Sequence, residues 1–171
     1  MQIIILAGGK GTRIKSVLGD TPKILAKIKD RSFLDWFILW INSWGLKITK
    51  PIIISTGMAN LKEIEETVKV AKRNGAKDIT LLYCVSNYPS SIEDFNLNNI
   101  KILKKKFKCK VGISDHSKDN RIAIASVASG AEVIEKHIAL DNQKKGLDIA
   151  FSLKGKEIKK LRNDIDLSLI H

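Results

Sequence analysis

The stretch Val111–His137, VGISDHSKDNRIAIASVASGAEVIEKH, decides the fold. It reads as strand, loop, helix, strand. Lys110–Ile113 is a short apolar strand, and the polar loop SDHSKDN follows it. A small-residue helix over Ile122–Ser129 comes next, closed by Gly130, and a second strand, Glu132–Lys136, ends in His137. Two parallel strands joined by a crossover helix bring His116 and His137 to the same, carboxyl-terminal, edge of a sheet. Two imidazoles converging there, beside Asp115 and Glu135, are a donor set for one divalent cation. The spacing leaves a second reading open, that of two unrelated loop histidines. The chain has 3 histidines in all, and both of these directly follow strands.

Outward from this unit the same alternation continues. Ile52–Ile54 is a β-branched run, as expected of a parallel strand buried on both faces, and it ends in Ser55-Thr56-Gly57-Met58. A helix is expected over Leu61–Asn74, with Asn60 as N-cap and Gly75 as C-cap. The strand Ile79–Cys84 then runs into VSNYPSSIEDFNL, and a helix follows over Leu97–Phe107. In that helix Ile100, Leu103 and Phe107 share one face while lysines take the other. Beyond His137 come a loop, Asp141–Asp148, and a final helix from about Lys154. Four strands with intervening helices predict an α/β architecture. Every polar motif in this part follows a strand, which is where (β/α) barrels keep their chemistry.

GISDHS followed by AIASVASGAEVIEKH resembles the second half of the barrel in the sialic acid synthase family, and the resemblance runs from about Thr49 to about Asp166. Members of that family make N-acetylneuraminic, legionaminic or pseudaminic acid by condensing phosphoenolpyruvate with an N-acetylated amino sugar. The resemblance implies a partial (β/α)8 TIM barrel of about four βα units. It also implies that His116 and His137 ligate Mn2+ or Mg2+, with Glu135 as an acidic, catalytic residue near the metal. Ser55 of the STGM motif would bind the phosphate of phosphoenolpyruvate, and Asn87, Tyr88 and Ser114 would make further contacts to it. Asp148, in GLDIAFS, matches an aspartate that contacts the amino sugar, although Leu147 and Ile149 depart from the family's proline and histidine or serine. Taken singly, Ser55, Ser114 and Asn87 also read as turn and cap residues. The implied reaction is aldol-like: the metal polarises the sugar's aldehyde, the enol attacks through C3, water adds at C2 and phosphate departs.

Residues 1–48 differ in kind. QIIILAGGKGTRI is an apolar strand running into a glycine-rich turn, in which Lys10 and Arg13 supply charge. It is neither the Walker pattern nor GxGxxG. It is similar to the N-terminal signature of sugar-1-phosphate nucleotidyltransferases, a short Rossmann-like β-loop-α segment, with TPKIL as the second motif. By that resemblance Gly8, Gly9, Gly11, Thr12 and Arg13 would wrap nucleotide phosphates and Lys23 would reach them. Ser32–Trp44 reads as an apolar helix of the same segment. The similarity ends near Gly45, before any of that family's metal-binding carboxylates, so nucleotidyl transfer is not expected. The junction Leu46–Lys50 has no long linker, which suggests a splice of two gene pieces, 1–48 and 49–171.

Composition narrows the remaining classes. Hydrophobic residues make up 44% of 171, ordinary for a soluble globular chain. The apolar runs are far too short to span a bilayer, and no signal peptide is apparent. Cys84 and Cys109 are isolated, as in a reduced, cytoplasmic protein. The net charge of +12 comes largely from lysines on helix faces, with no nucleic-acid module beside them. A half barrel leaves sheet edges uncovered. A homodimer, or the strand Gln2–Leu6 laid along one edge, is the expected remedy. Three functional readings follow: a metal-dependent synthase of the sialic acid type, incomplete in this chain; a nucleotidyltransferase fragment; or a non-catalytic remnant that binds only metal or phosphate.

Overall fold

The computed structural model describes residues 3–5, 25–43, 51–146 and 148–169. Contacts divide the chain into two compact units, Met1–Thr80 and Leu81–His171. The junction Leu46–Lys50 lies outside the described residues.

In the first unit β1 (Ile3–Ile5) pairs in parallel with β4 (Ile52–Ser55), Ile3 opposite Ile52 and Ile5 opposite Ile54. The N-terminal strand thus lies along an edge, as expected. Between them a two-residue hairpin, β2 (Lys27–Ile28) and β3 (Arg31–Ser32), turns through Lys29 at φ 60°. Helix α1 (Phe33–Ser43) follows at once. Its start is fixed by a Ser-x-x-Asp exchange. Asp35 N–H donates to Ser32 Oγ at 3.1 Å, and Ser32 N–H returns a bond to Asp35 Oδ2 at 3.2 Å. Leu34, Ile38 and Ile41 form the buried face of α1.

Helix α2 (Leu61–Arg73) begins on a full capping box between Asn60 and Glu63. Its last turn meets the first turn of α1. Arg73 donates to Asp35 Oδ1 at 2.8 Å and Asn74 Nδ2 donates to the same oxygen at 3.0 Å. One buried carboxylate therefore joins a helix on each side of the 48/49 junction.

Burial alone would raise the pKa of Asp35, but hydrogen bonds from Arg73, Ser32 and Asn74 outweigh it and hold the group at about 2, against an ordinary 3.8. A folded pKa below the unfolded one stabilises the fold above pH 3.8, and the gain is lost as pH falls toward 2. Because the Arg73 side chain is 66% exposed, the contribution is discounted to about 1–2 kcal/mol. Asp35→Asn is expected to lower the urea midpoint at pH 7, and the gap from the unaltered chain should close on acidification below pH 4.

In the second unit β5 (Ile79–Cys84), β6 (Lys110–Asp115) and β7 (Ile134–Lys136) lie side by side in that order. β6 and β7 are parallel, as expected, and are joined through α4 (Arg121–Ala128). Backbone bonding to β6 starts two residues before β7, because Glu132 N–H donates to Val111 O at 2.8 Å. Leu81, Leu82, Val111 and Ile113 are at most 1% exposed. Helix α3 (Asn98–Phe107) buries Ile100, Leu103 and Phe107 and turns its lysines to water. After β7 a short strand β8 (Ile138–Ala139) pairs in parallel with β9 (Leu153–Lys154). The closing helix α5 (Gly155–Ser168) packs on α4, with Ala123, Leu153 and Leu161 buried between these elements. No helix among the described residues is long and apolar enough to cross a membrane.

Candidate functional site

The site follows from strand period and register. In a strand, residues two apart share a face. β6 extends to Asp115, two residues further than the sequence reading placed its end. Ser114 therefore faces one way and Asp115 the other, and the chain leaves β6 with His116 back on the side of Ser114. β7 repeats this with Glu135, Lys136 and His137. The register sets Ser114 opposite Glu135 and Asp115 opposite Lys136. Ser114, His116, Glu135 and His137 meet on one face, whereas Asp115 does not join them. This corrects the grouping of Asp115 with the two histidines.

His116 is 5% exposed, and its ring centroid lies 5.3 Å from that of His137. Its Nδ1 is 3.3 Å from the carbonyl of Val85, which can only accept, so Nδ1 carries the proton and Nε2 keeps its lone pair. Nε2 in turn lies 3.3 Å from Ser114 Oγ. Ser114 Oγ donates to Glu135 Oε1 at 2.5 Å, so the imidazole, the hydroxyl and the carboxylate form one chain. Burial pushes the His116 pKa down; the Val85 bond opposes this and nearby His137 adds to it, so the imidazole is neutral at neutral pH.

Two aromatic rings wall the histidines. Tyr88 lies against His116 at a centroid distance of 4.2 Å, and Phe151 meets His137 nearly edge-on at 5.2 Å. Burial, followed by the nearby charges of Cys84, Asp148 and Glu135, raises the Tyr88 phenol pKa, which keeps it protonated. Asp148 Oδ2 stands 3.7 Å from His137 Nδ1, close enough to orient it electrostatically but beyond hydrogen-bond length.

The other assigned residues are placed less uniformly. Asn87 is exposed and donates to Asp94 Oδ2 at 3.2 Å. The loop that carries it is tied to His116, because Ser90 N–H donates to the His116 carbonyl at 3.0 Å. Ser55 closes β4 in the first unit; it is 6% exposed and its hydroxyl has no partner among the described residues. Gly8, Gly9, Gly11, Thr12, Arg13 and Lys23 lie outside the described residues.

Sequence reasoning missed Phe151, the Val85 carbonyl and Lys136. Phe151 was findable as the one aromatic residue just after the Asp141–Asp148 loop. The Val85 carbonyl has no side-chain signal at all.

The donor set suits a hard or borderline divalent ion: two imidazoles, one of them beside the Ser114 hydroxyl, and a carboxylate one hydrogen bond away. Among the described residues no group of three or more His, Cys, Asp or Glu forms a metal-ligating cluster. A bound ion would thus draw its further ligands from water or substrate oxygens.

Parallel strands with helical crossovers and polar groups gathered at their carboxyl-terminal ends define an α/β protein of the (β/α)-barrel class. The chain matches the NeuB family over residues 42–168 and belongs to it. It is 49% identical over 121 residues to the N,N'-diacetyllegionaminic acid synthase of Campylobacter jejuni, covering 70% of this chain and 36% of that protein. To the pseudaminic acid synthase of the same organism it is 43% identical over 113 residues, covering 66% and 33%.

The solved N-acetylneuraminic acid synthetase of Leptospira borgpetersenii superposes with a TM-score of 0.68 at 37% identity, over 80% of this chain and 50% of that one. The spore coat polysaccharide biosynthesis protein SpsE of Bacillus subtilis gives 0.72 at 25% identity, over 98% and 45%. The chain thus spans 36% of the length of the first of these synthases and 50% of the Leptospira chain. None of these similarities shows a nucleotidyltransferase segment in residues 1–48 of this chain.

Proposed function

We propose that this chain supplies the metal-facing half of a nonulosonic acid synthase site, where phosphoenolpyruvate condenses with an N-acetylated amino sugar in carbohydrate biosynthesis. The observation that carries the reading is the convergence of His116 and His137, ring centroids 5.3 Å apart, with His116 joined through the Ser114 hydroxyl to the Glu135 carboxylate. His116 and His137 would hold Mn2+ or Mg2+. When bound, the ion supplies Lewis-acid polarisation of the sugar's carbonyl oxygen.

The remaining work falls to the chain's own groups. The Val85 carbonyl fixes the tautomer of His116. Glu135, bonded to Ser114, is placed to exchange a proton with a hydroxyl of the bound sugar. Tyr88 and Phe151 exclude water from one side of the imidazoles and give the sugar ring an apolar wall. Asp148, partly exposed beside His137, suits the sugar's hydroxyl or amide donors. Asn87 with Ser114, and Ser55 in its own unit, are the proposed phosphoenolpyruvate contacts. A cytoplasmic location and a homodimer belong to the same proposal. Legionaminic acid synthases at 49% and 40% identity and pseudaminic acid synthases at 43% and 42% support a sugar of the legionaminic or pseudaminic type without separating the two.

A thermal melt tests the reading. A ligand that binds only the folded chain must raise the midpoint, by about 2.7 kcal/mol of stability at a hundredfold excess over Kd. Mn2+ is expected to raise it, and phosphoenolpyruvate to raise it further when Mn2+ is present. A midpoint blind to both ligands would instead favour a remnant without a working site.

A further inference from the structure

On the side of β6 and β7 that faces away from the histidines, Lys136 is 3% exposed and Asp115 fully buried. The Lys136 ammonium has three protons and three acceptors. These are Asp115 Oδ2 at 2.8 Å, the Ser117 carbonyl at 2.8 Å and the Asp119 carbonyl at 3.3 Å. The second oxygen of Asp115 accepts from Ser117 N–H at 2.8 Å. A buried ion pair of this kind is weak evidence for stability, because an apolar pair of equal volume fills the same space as well or better. An apolar pair cannot, however, grip the carbonyls on the far side of His116.

The sequence positions sharpen the point. Lys136 immediately precedes His137, and Asp115 immediately precedes His116. Each partner is thus the chain neighbour of an imidazole, and the contact sits at the last ladder position of the register, where the two strands end. Among the described residues, what else holds the segment Ser117–Asn120 is short-range turns and the Ser90–Ser117 bridge.

We propose that Asp115 and Lys136 are positioning residues: a buried clasp, reaching from one strand to the loop of the other, that sets the distance and orientation between the His116 and His137 rings. The proposal deepens the metal-site reading and rests on it in one respect, that the two rings act on a common ligand. The clasp makes no contact with that ligand. It acts by fixing the backbone from which each ring is carried, as outer-shell groups do at metal sites.

The test uses the full chain and three variants. The double substitution Asp115→Asn/Lys136→Met removes both charges, so that no ion is left buried alone. Lys136→Arg keeps the charge and the donors. Asp115→Asn/Lys136→Gln, which also leaves no ion buried alone and keeps hydrogen-bonding groups on both sides, is the milder change should the first double variant not fold. Mn2+ affinity is measured by titration calorimetry, and the imidazole 15N resonances of His116 are recorded without metal, with circular dichroism as the check on folding.

The double variant is expected to bind Mn2+ about 10- to 100-fold more weakly. Its His116 resonances should move away from those of a locked Nδ1–H tautomer, while Lys136→Arg preserves both. Asp115→Asn/Lys136→Gln should shift the same resonances in the same direction. A folded double variant with unaltered affinity and unaltered resonances overturns the clasp. If the unaltered chain binds no Mn2+, the proposed function fails, and the resonances judge the clasp by themselves: moved in the variant they uphold it, unmoved they overturn it.

Discussion

Alanine in place of His116 is expected to weaken Mn2+ binding by about 100-fold or more, well beyond the 10- to 100-fold effect of losing an outer-shell partner. Only two protein side chains are proposed to reach the ion, so each carries a large share of its affinity. His137→Ala should cost a similar factor. The two variants should nonetheless differ in stability. His116 is 5% exposed and bonded to Val85, so its truncation opens a cavity and leaves the Val85 carbonyl with Ser90 Oγ as its remaining donor. His137 is about a third exposed, with a side-chain exposure of 34%, and should unfold at nearly the original temperature when truncated. Titration calorimetry on folded samples of both checks the prediction. Unchanged affinity in either one would remove that histidine from the site.

Gly112→Ala is expected to be the most damaging small change in the second unit. A Cβ at this position would stand 2.2 Å from the Val133 carbonyl oxygen and 2.8 Å from both Leu82 Cδ2 and Val133 Cβ. The first of these is backbone, and it already accepts the Ile113 N–H at 2.9 Å, so it cannot withdraw without breaking the start of the β6–β7 pairing. Relief would come only by moving β7 relative to β6, which also moves Glu135 and His137. The expected loss is about 3 kcal/mol or more, at the upper end for overpacking. A chemical denaturation series with serine and alanine at 112 measures it. A loss below about 0.5 kcal/mol, the range of surface changes, would mean that the strands have more room than described.

Much of this site is legible in the sequence. The β-branched runs, the glycine-closed helix and the two histidines directly after strands suffice to place His116 and His137 at one sheet edge. The Asn60 N-cap and the apolar stripe of α3 are likewise local patterns that the structure repeats. What escaped notice depends on contacts distant in sequence. The end of β6 was set at Ile113 because Ser114 and Asp115 are polar. Polar residues can remain in a strand when a partner strand answers them, as Glu135 and Lys136 do here. That two-residue difference reassigns Asp115 from the metal face to the ion pair beneath it.

The tautomer of His116 depends on a backbone carbonyl 31 residues away, which no side-chain pattern announces. Asp35 taught the reverse lesson. Its Ser-x-x-Asp cap is visible in SFLD, but its bonds to Arg73 and Asn74 reach 38 and 39 residues along the chain, so that α1 and α2 share a buried carboxylate.

The central claim is that two imidazoles of this chain bind one divalent ion. Pulsed electron paramagnetic resonance of the Mn2+-loaded full chain tests it most directly, because nitrogen bound to manganese modulates the echo and bound oxygen does not. The account predicts modulation from two imidazole nitrogens, reduced to one in His116→Ala and likewise in His137→Ala. Mn2+ bound without nitrogen modulation, or with modulation that neither substitution alters, would contradict it.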